Sequence, residues 1–264
     1  MKNTFKWMFA AILVCGLTIA SCTKDPVPTP DPDPTTPEPQ TVTRVATEIH
    51  KVNMGMIGMV TSSNFTWENG VLTSVCDTIN LGIMTQTYKN NMIYENGLLV
   101  RVDEENGQWN YFYTYEDGLM TSFLNLSEGD TSAWGKITSH TADGLVEEYI
   151  SYSVASSTTK KTRWTLTWEN GDAVTVVEDI LEPEDVAGTH TYNYTYDDKP
   201  NVHTGNPLGY AIFDGSGSMV ARRLSKHNQT NEGYTYNYND KGYLVSIVAE
   251  NDSTFYNYIE QTLR

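Results

Sequence analysis

The sequence predicts an all-β protein, a strongly curved antiparallel meander of roughly a dozen or more strands. Short runs in which aromatic residues alternate with Thr or Asn recur along the chain, and many end in an acidic residue followed by Asn-Gly or Asp-Gly. No long stretch between them has the spacing of apolar residues that an α-helix requires. Because a twisted sheet of more than ~10 strands curls or splits, we expect a closed or partly closed barrel.

The recurring turn element predicts a string of hairpins. Asn and Gly accept the positive φ angles of a two-residue type I′ turn, so each copy predicts two antiparallel strands joined tightly. The copies are Phe65–Gly70, Ile93–Gly97, Tyr113–Gly118, Ala142–Gly144, Leu166–Gly171 and Tyr236–Gly242.

Residues 1–21 have the features of a signal peptide. Lys2 and Lys6 precede an apolar run that is too short for a permanent membrane anchor. The following Ile19-Ala-Ser-Cys22 resembles the bacterial lipobox, after which Cys22 becomes the lipid-modified N-terminus. An ordinary signal peptide that happens to contain cysteine is the alternative.

A tether follows the predicted lipidation site. Seven of the ten prolines fall between Pro26 and Pro39, so residues 22–41 predict a solvated polyproline segment with a reach of up to ~60 Å. Lys24-Asp25 resembles the export tag of some Gram-negative lipoproteins. We therefore expect the lipid to hold the protein in the outer membrane, exposed at the cell surface, with the periplasmic face as the alternative. Residues 42–264 are predicted to form a single domain.

The charge of the chain limits its partners. The net charge of −16 becomes −18 once Lys2 and Lys6 leave with the signal peptide. Such a surface repels polyanions, so nucleic acid is not an expected partner. Cys76 is the one cysteine that remains besides the acylated Cys22, so packing rather than a disulfide must stabilise the domain.

Strand patterns are clearest beside the turns. Two strands are predicted here, Leu98–Glu104 and Gln108–Tyr115. In the second strand, one face carries three tyrosines and the other carries Asn110, Phe112 and Thr114. We expect the aromatic face to line the concave side and the polar face to meet water, which argues against a membrane-spanning barrel. Further predicted strands are 131–141, 145–155, 160–168, 172–181, 189–197, 210–214, 218–226, 232–239, 243–250 and 253–263.

Two resemblances support this reading. Tyr236-Asn-Tyr-Asn-Asp-Lys-Gly-Tyr-Leu244 resembles the tyrosine-aspartate repeats of large bacterial wrapping proteins. Tyr194–Asn201 with Asn206-Pro-Leu208, Leu224–Asn228 and the C-terminal tyrosine hairpin are similar to a family of uncharacterised bacterial outer-membrane lipoproteins with a porin-like fold. That resemblance implies a porin-like fold and an envelope location, and it implies no catalytic residue.

Aromatic side chains are the candidate binding residues. They fill a wide core in the simpler interpretation, and where exposed they stack on sugar faces. Two segments are candidate plugs or lids: the one from Asp197 to Gly209 and the one with Met54, Met56 and Met59. The candidate tyrosines are Tyr111, Tyr113, Tyr115, Tyr192, Tyr194, Tyr196, Tyr234, Tyr236 and Tyr238.

Motifs for catalysis, metal binding or cofactor binding are not found in the sequence. The histidines are scattered, no phosphate-binding loop or Gly-x-Ser-x-Gly elbow occurs, and we expect no metal and no cofactor. The first hypothesis is a non-enzymatic surface lipoprotein that binds a glycan or an envelope protein. The second is a carrier of an apolar molecule, and the third is a hydrolase with paired carboxylates.

Overall fold

A computed structural model describes residues 40–53, 58–155, 158–207, 209 and 216–263. The predicted signal peptide, Cys22 and nearly all of the tether lie outside these residues, as do predicted strand 210–214 and two of the three plug methionines, Met54 and Met56. The first strand begins at Thr41, one residue before the predicted start of the domain.

The described chain is nearly all β, as predicted. Seventeen antiparallel strands occur in it, with one short α-helix, α1 (Gly217–Leu224), and a 3₁₀ turn at Glu184–Val186. The strands are β1 Thr41–Asn53, β2 Gly58–Glu68, β3 Val71–Asn80, β4 Thr85–Glu95, β5 Leu98–Glu104, β6 Trp109–Glu116, β7 Leu119–Ser127, β8 Asp130–His140, β9 Val146–Ala155, β10 Thr158–Glu169, β11 Asp172–Glu182, β12 Gly188–Asn193, β13 Thr195–Pro200, β14 His227–Thr230, β15 Thr235–Tyr238, β16 Leu244–Val248 and β17 Asp252–Thr262.

Fifteen of these strands form one large curved sheet. Neighbouring strands along the chain pair from β1 to β12, β17 pairs with β1, and β16 and β15 continue the sheet on that side. The sheet does not close into a barrel, because β12 and β15 are its two edges. The sequence predicts either a closed or a partly closed barrel, and the closed form is wrong. Strands β13 and β14 form a separate pair that lies between these edges along the chain.

Two predicted strands near the C-terminal third are incorrect. The predicted strand 218–226 is largely α1, in which Val220 and Ala221 are buried. Its apolar residues fall one and four positions apart, which suits one face of a helix better than alternation. The predicted strand 189–197 is divided at Tyr194 into β12 and β13.

The predicted tight turns are confirmed at four of the six copies. Asn69-Gly70, Asn96-Gly97, Asp117-Gly118 and Asn170-Gly171 all have positive φ at both residues. In the other two copies the glycine alone, Gly144 or Gly242, has a positive φ, so these loops are not two-residue type I′ turns.

The acidic-Asn/Asp-Gly turns all lie at the same end of the sheet, which we call the proximal end. They join β2 to β3, β4 to β5, β6 to β7 and β10 to β11. The chain also enters and leaves here, since Leu263 N donates to Gln40 O at 2.7 Å. The opposite, distal end carries the turns that follow β3, β5, β7, β11 and β16.

The aromatic residue before each of these turns links neighbouring hairpins. Tyr94 OH donates to Leu72 O at 2.8 Å, and the indole of Trp67 donates to Val45 O at the same distance. Each ring therefore packs on the concave face while its polar atom satisfies a backbone carbonyl on the preceding strand. The same bond recurs in the pairs Tyr115–Leu99, Trp168–Val146 and Tyr258–Leu244.

The concave face is apolar near the proximal end. Most buried side chains in this half are aliphatic or aromatic, as alternation predicts for the inward face. We define the proximal half of the concave face by Val45, Trp67, Leu72, Val75, Met92, Leu99, Val102, Tyr113, Met120, Phe123, Val146, Tyr149, Leu166, Val176 and Leu244.

The convex face is mostly polar but carries one row that the sequence analysis did not expect. Phe112, Leu124, Trp134 and Tyr152 pair in register across β6 to β9 on this face. Trp134 and Tyr152 stack with ring centroids 4.7 Å apart, and Lys161 Nζ lies 5.7 Å from the Tyr152 centroid. Because the rings stack on each other, the row acts as a set of cross-strand pairs that stabilises the sheet.

Within the described residues, no helix combines the length and apolarity needed to cross a membrane.

Candidate functional site

An inward segment follows β13 and packs on the concave face. We define it as the described residues between Asn201 and Lys226, which include α1. Gly209 approaches the Tyr113 ring so closely that an added Cβ would lie 2.9 Å from it. Likewise a Cβ on Gly217 would lie 2.6 Å from the Trp164 ring. The inward segment thus covers the proximal half, which confirms part of the predicted plug between Asp197 and Gly209.

The segment is fixed by a buried amide. Asn201 Nδ2 donates to the carbonyl oxygens of Arg222, Ser225 and His227 at 2.8–3.1 Å, and its Oδ1 accepts from His203 N. Asn228 makes a similar set of bonds to Asp197 and to backbone groups nearby. These bonds place α1 with its arginines directed at the distal part of the concave face.

That distal half of the concave face is polar. Where the proximal half presents rings, the inward positions nearer the distal end carry hydroxyl, amide and carboxyl groups. We define the distal half by Glu48, His50, Thr61, Ser63, Asp77, Asn90, Glu104, Asn125, Ser151, Glu178 and Thr254.

Two cavities lie between the inward segment and the distal half. Their volumes are about 300 and 310 Å³, and both have Glu48 and His50 in their walls. The first also includes Arg222, Tyr234 and Asp252, whereas the second includes Asp77 and Arg223. We call the two together the polar chamber.

Charges of both signs face each other in the polar chamber. Arg222 Nη2 lies 3.4 Å from Glu48 Oε1, and the guanidinium also faces Tyr256. Asp77 accepts a bond from Ser63 Oγ at 2.6 Å, with Arg223 nearby. Burial raises the pKa of Asp77, while the bond from Ser63 and the charge of Arg223 oppose that rise.

A second polar group lies at the mouth of the first cavity. His50 Nε2 is 2.7 Å from Asp252 Oδ1, and Tyr234 OH donates to Asp252 Oδ2 at 3.3 Å. The negative charge of Asp252 raises the pKa of Tyr234. The side chains of His50 and Asp252 remain about one-third exposed, so a ligand can reach them.

His203 forms a buried wall of the first cavity. It is 5% exposed, and in the described part of the chain its Nε2 has no hydrogen-bond partner. Burial, reinforced by the positive charges of Arg222 and Arg223, lowers the pKa of His203, so its ring is neutral.

The nine candidate tyrosines are distributed over three environments. Tyr111 and Tyr113 are buried, Tyr192 and Tyr234 are 37% and 36% exposed, and the remaining five are half-buried. Only Tyr234 and Tyr236 line the polar chamber. Most of the hydroxyls bond to the protein itself: Tyr115 to Leu99 O, Tyr192 to Glu178, Tyr194 to Ser218, Tyr196 to Ala173 O, Tyr236 to Asn231 N and Tyr238 to Asp197.

The charged residues of the polar chamber were missed at the sequence level. The sequence pattern shows His50 only as one of five scattered histidines, and it does not single out Glu48, Asp77 or the arginine pair. One signal existed, since Arg222-Arg223 is the only adjacent arginine pair in a strongly acidic sequence. The charged residues of the polar chamber come together because strands far apart in sequence pair with each other, as Glu48 on β1 does with Tyr256 on β17.

No group of three or more His, Cys, Asp or Glu side chains in the described ranges is arranged to hold a metal ion.

Comparison with known proteins gives limited matches. No protein-family model matches the sequence. The tRNA3(Ser)-specific nuclease WapA of Bacillus spizizenii is 30% identical over 116 residues, which are 42% of this chain and 5% of that protein. A solved porin-like protein from Bacteroides uniformis ATCC 8492 is similar with a TM-score of 0.43 and 13% identity, over 81% of this chain and 96% of that one. The chain thus spans about one-twentieth of the length of the curated relative, and no activity follows from either match.

Proposed function

We propose that the protein is a lipid-anchored binding protein of the outer membrane, exposed at the cell surface, whose polar chamber holds a short glycan. The observation that carries this proposal is the lining of the polar chamber. It combines carboxylates, guanidinium groups and tyrosine rings on the concave face.

The lining suits a neutral, hydroxyl-rich ligand. Glu48 and Asp77 each face an arginine, so no large net charge selects an ionic ligand. Sugar hydroxyls both donate and accept, and therefore match a wall of mixed carboxylates and donors. Tyr234 and Tyr236 offer ring surface for the apolar face of a sugar. A volume of about 300 Å³ is at the small end of ligand sites, which favours one or two sugar units.

The position of the N-terminus agrees with display on a tether. Gln40 lies at the proximal end, whereas the polar chamber lies towards the distal end. A lipid on Cys22 would therefore be connected to the end of the sheet that lies away from the polar chamber. An envelope protein is the other partner that the sequence analysis proposed.

An apolar cargo fits this lining less well. A ligand without polar groups would cover Glu48, Arg222 and Asp252 and remove their contact with water, at a cost in free energy. The nuclease activity in the name of the curated relative is not proposed either, because a net charge of −18 repels RNA. We propose binding without catalysis and without a cofactor.

A glycan array with the mature chain, carrying Cys22→Ser to prevent acylation, tests the ligand class. Titration calorimetry with a retained glycan then compares Glu48→Gln with Glu68→Gln, which changes an exposed glutamate at the proximal end. We expect affinity to fall about tenfold in Glu48→Gln, because a charge-assisted hydrogen bond is lost, and not to change in Glu68→Gln. No binding to any glycan on the array, or equal affinity of the two variants, would contradict the proposal.

The anchor is tested separately. Cells fed an alkyne fatty acid should label the wild-type protein and not Cys22→Ala, and protease added to intact cells should remove the domain. Labelling of Cys22→Ala, or full protection from protease in cells that are labelled, would refute lipidation at Cys22 or surface exposure, respectively.

A further inference from the structure

One edge strand of the large sheet is exposed and pairs with a neighbour on one side only. Strand β12, Gly188–Asn193, is the last strand of the ladder, and all six of its residues are exposed. It pairs with β11 without a register shift, and among the described strands no other pairs with it. At ~3.3 Å per residue it presents an edge about 20 Å long.

The ladder determines which backbone groups of β12 point outward. Tyr194 N donates to Val174 O on β11 at 2.9 Å, and bonding residues alternate along an antiparallel strand. His190 and Tyr192 therefore bond to β11, and the N–H and C=O groups of Thr189, Thr191 and Asn193 face away from it. These outward groups are the donors and acceptors that an added strand would use.

The sequence of β12 lacks the usual protection of an edge strand. Natural edges carry Lys, Pro, inward charges or bulges that prevent pairing. Gly188-Thr-His-Thr-Tyr-Asn193 has none of these. The other edge, β15, is shorter and is tied to its surroundings, since Tyr236 OH accepts from Asn231 N and Tyr238 OH donates to Asp197.

We propose that β12 is a docking strand that takes an extended, basic segment of a partner protein by β-strand addition. The choice of a basic segment rests on charge. Asp179 lies beside the edge, where Thr189 Oγ1 donates to it at 2.6 Å. At the distal end of β11, Glu182 is paired with Lys161 Nζ at 3.4 Å, and Glu184 and Asp185 follow as two further acidic residues. Lysine side chains on the added strand would be attracted to these carboxylates across β12, over about two strand spacings or ~10 Å in the case of Asp179.

A second copy of this chain is the competing occupant. Two β12 strands paired antiparallel would bring the same carboxylates of both copies together, and each mature copy carries a net charge of −18. Like charges at a shared edge oppose that pairing.

The test uses the mature Cys22→Ser chain and an acetylated, amidated peptide of about eight residues in which Lys alternates with Thr and Val. NMR hydrogen exchange is measured with and without the peptide. We expect the amides of Thr189, Thr191 and Asn193 to exchange rapidly in the free protein and to become protected at least about tenfold by the peptide. Amides of His190 and Tyr192 should be protected in both cases.

One matched pair of variants and two altered peptides serve as controls. Thr191→Pro removes one outward N–H, and Thr191→Val keeps it, so the first should bind the peptide about tenfold more weakly and the second normally. A peptide N-methylated at alternate residues should fail on the wild-type protein, which keeps the test valid if Thr191→Pro does not fold. A peptide with Glu in place of Lys should also bind more weakly.

Certain results would overturn the proposal. These are unchanged exchange at Thr189, Thr191 and Asn193 with millimolar peptide, equal binding of the Glu peptide, or equal binding of the N-methylated peptide. A dimer seen by ultracentrifugation and abolished by Thr191→Pro would instead assign the edge to a second copy.

Discussion

The proximal and distal halves of the concave face are built by the same strands and yet differ in chemistry. In the proximal half, Phe123 and Tyr149 pack edge to face with ring centroids 6.3 Å apart, and Gly209 lets the inward segment approach Tyr113. The adjacent Trp164 stacks on Tyr149 at the same centroid distance. In the distal half, the same alternation places Ser63, Asp77 and Glu48 inward, and the polar chamber remains.

The same alternation of inward and outward residues thus produces a packed core in one half and a polar cavity in the other. Rings and aliphatic groups gain free energy by excluding water, so the proximal half packs solidly. Carboxylates and guanidinium groups lose free energy when they are buried without partners, so the distal half keeps space around them. Stability should therefore depend on the proximal half and ligand binding on the distal half.

Truncation in the proximal half should have the largest effect on stability. Phe123 is 2% exposed, and Phe123→Ala should lower the free energy of unfolding by about 3–5 kcal/mol, since it leaves a cavity in a packed core. Thr61→Ala, an inward change in the distal half, should cost less than about 1 kcal/mol. Urea denaturation measures both, and equal losses would remove the distinction between the halves.

A smaller effect is expected from the hydrogen bonds between hairpins. Tyr94→Phe leaves Leu72 O without its donor and should cost about 1–2 kcal/mol. Burial raises the pKa of Tyr94 to about 12, so the loss should be the same from pH 6 to 9. Tyr88→Phe on the same strand removes a bond to the exposed Gln86 and should cost almost nothing. A loss as large in Tyr88→Phe would show that the bond to Leu72 has no special role.

The smallest effect concerns pH and the distal half. Because the pKa of Asp77 is raised in the folded protein, folding takes up a proton between its unfolded and folded pKa values. Its favourable contribution is full below pH ~4, the unfolded value, and is lost as the pH rises through the folded pKa. Asp77→Asn should remove this decline. We compare the free energy of unfolding of Asp77→Asn with that of the wild type at each pH. The difference, variant minus wild type, should increase by less than about 1 kcal/mol between pH 3.5 and 6.5. A relative stability that stays constant or falls over that range would contradict the shift.

Much of the fold could be predicted from local sequence. Asn69-Gly70 and its equivalents fix tight turns through their own φ preferences, and Tyr111 and Tyr113 occupy the inward face that alternation gives them. The sequence predicts a strand where α1 forms, because the eight residues of this helix lie among alternating segments. Phe112 was correctly placed opposite the tyrosines, but its extension into a row across the convex face depends on the register of four neighbouring strands.

The candidate site was less predictable than the fold. The alternating pattern predicts tyrosines as the binding residues, whereas in the structure most of their hydroxyls form hydrogen bonds to neighbouring parts of the protein. The charged residues of the polar chamber carried no local motif. Glu48 and Arg222 are 174 positions apart, and only the packing of α1 on the concave face brings them together.

The sequence by itself determined the hairpins, their turns and the side of the sheet on which each ring lies, because these depend on φ preferences and two-residue alternation within short segments. Only the tertiary structure decided that the ladder stays open at β12, that the inward segment fills one half of the concave face, and that charges gather in the other. Those outcomes depend on strand register and on contacts between distant residues, which no short stretch of sequence encodes.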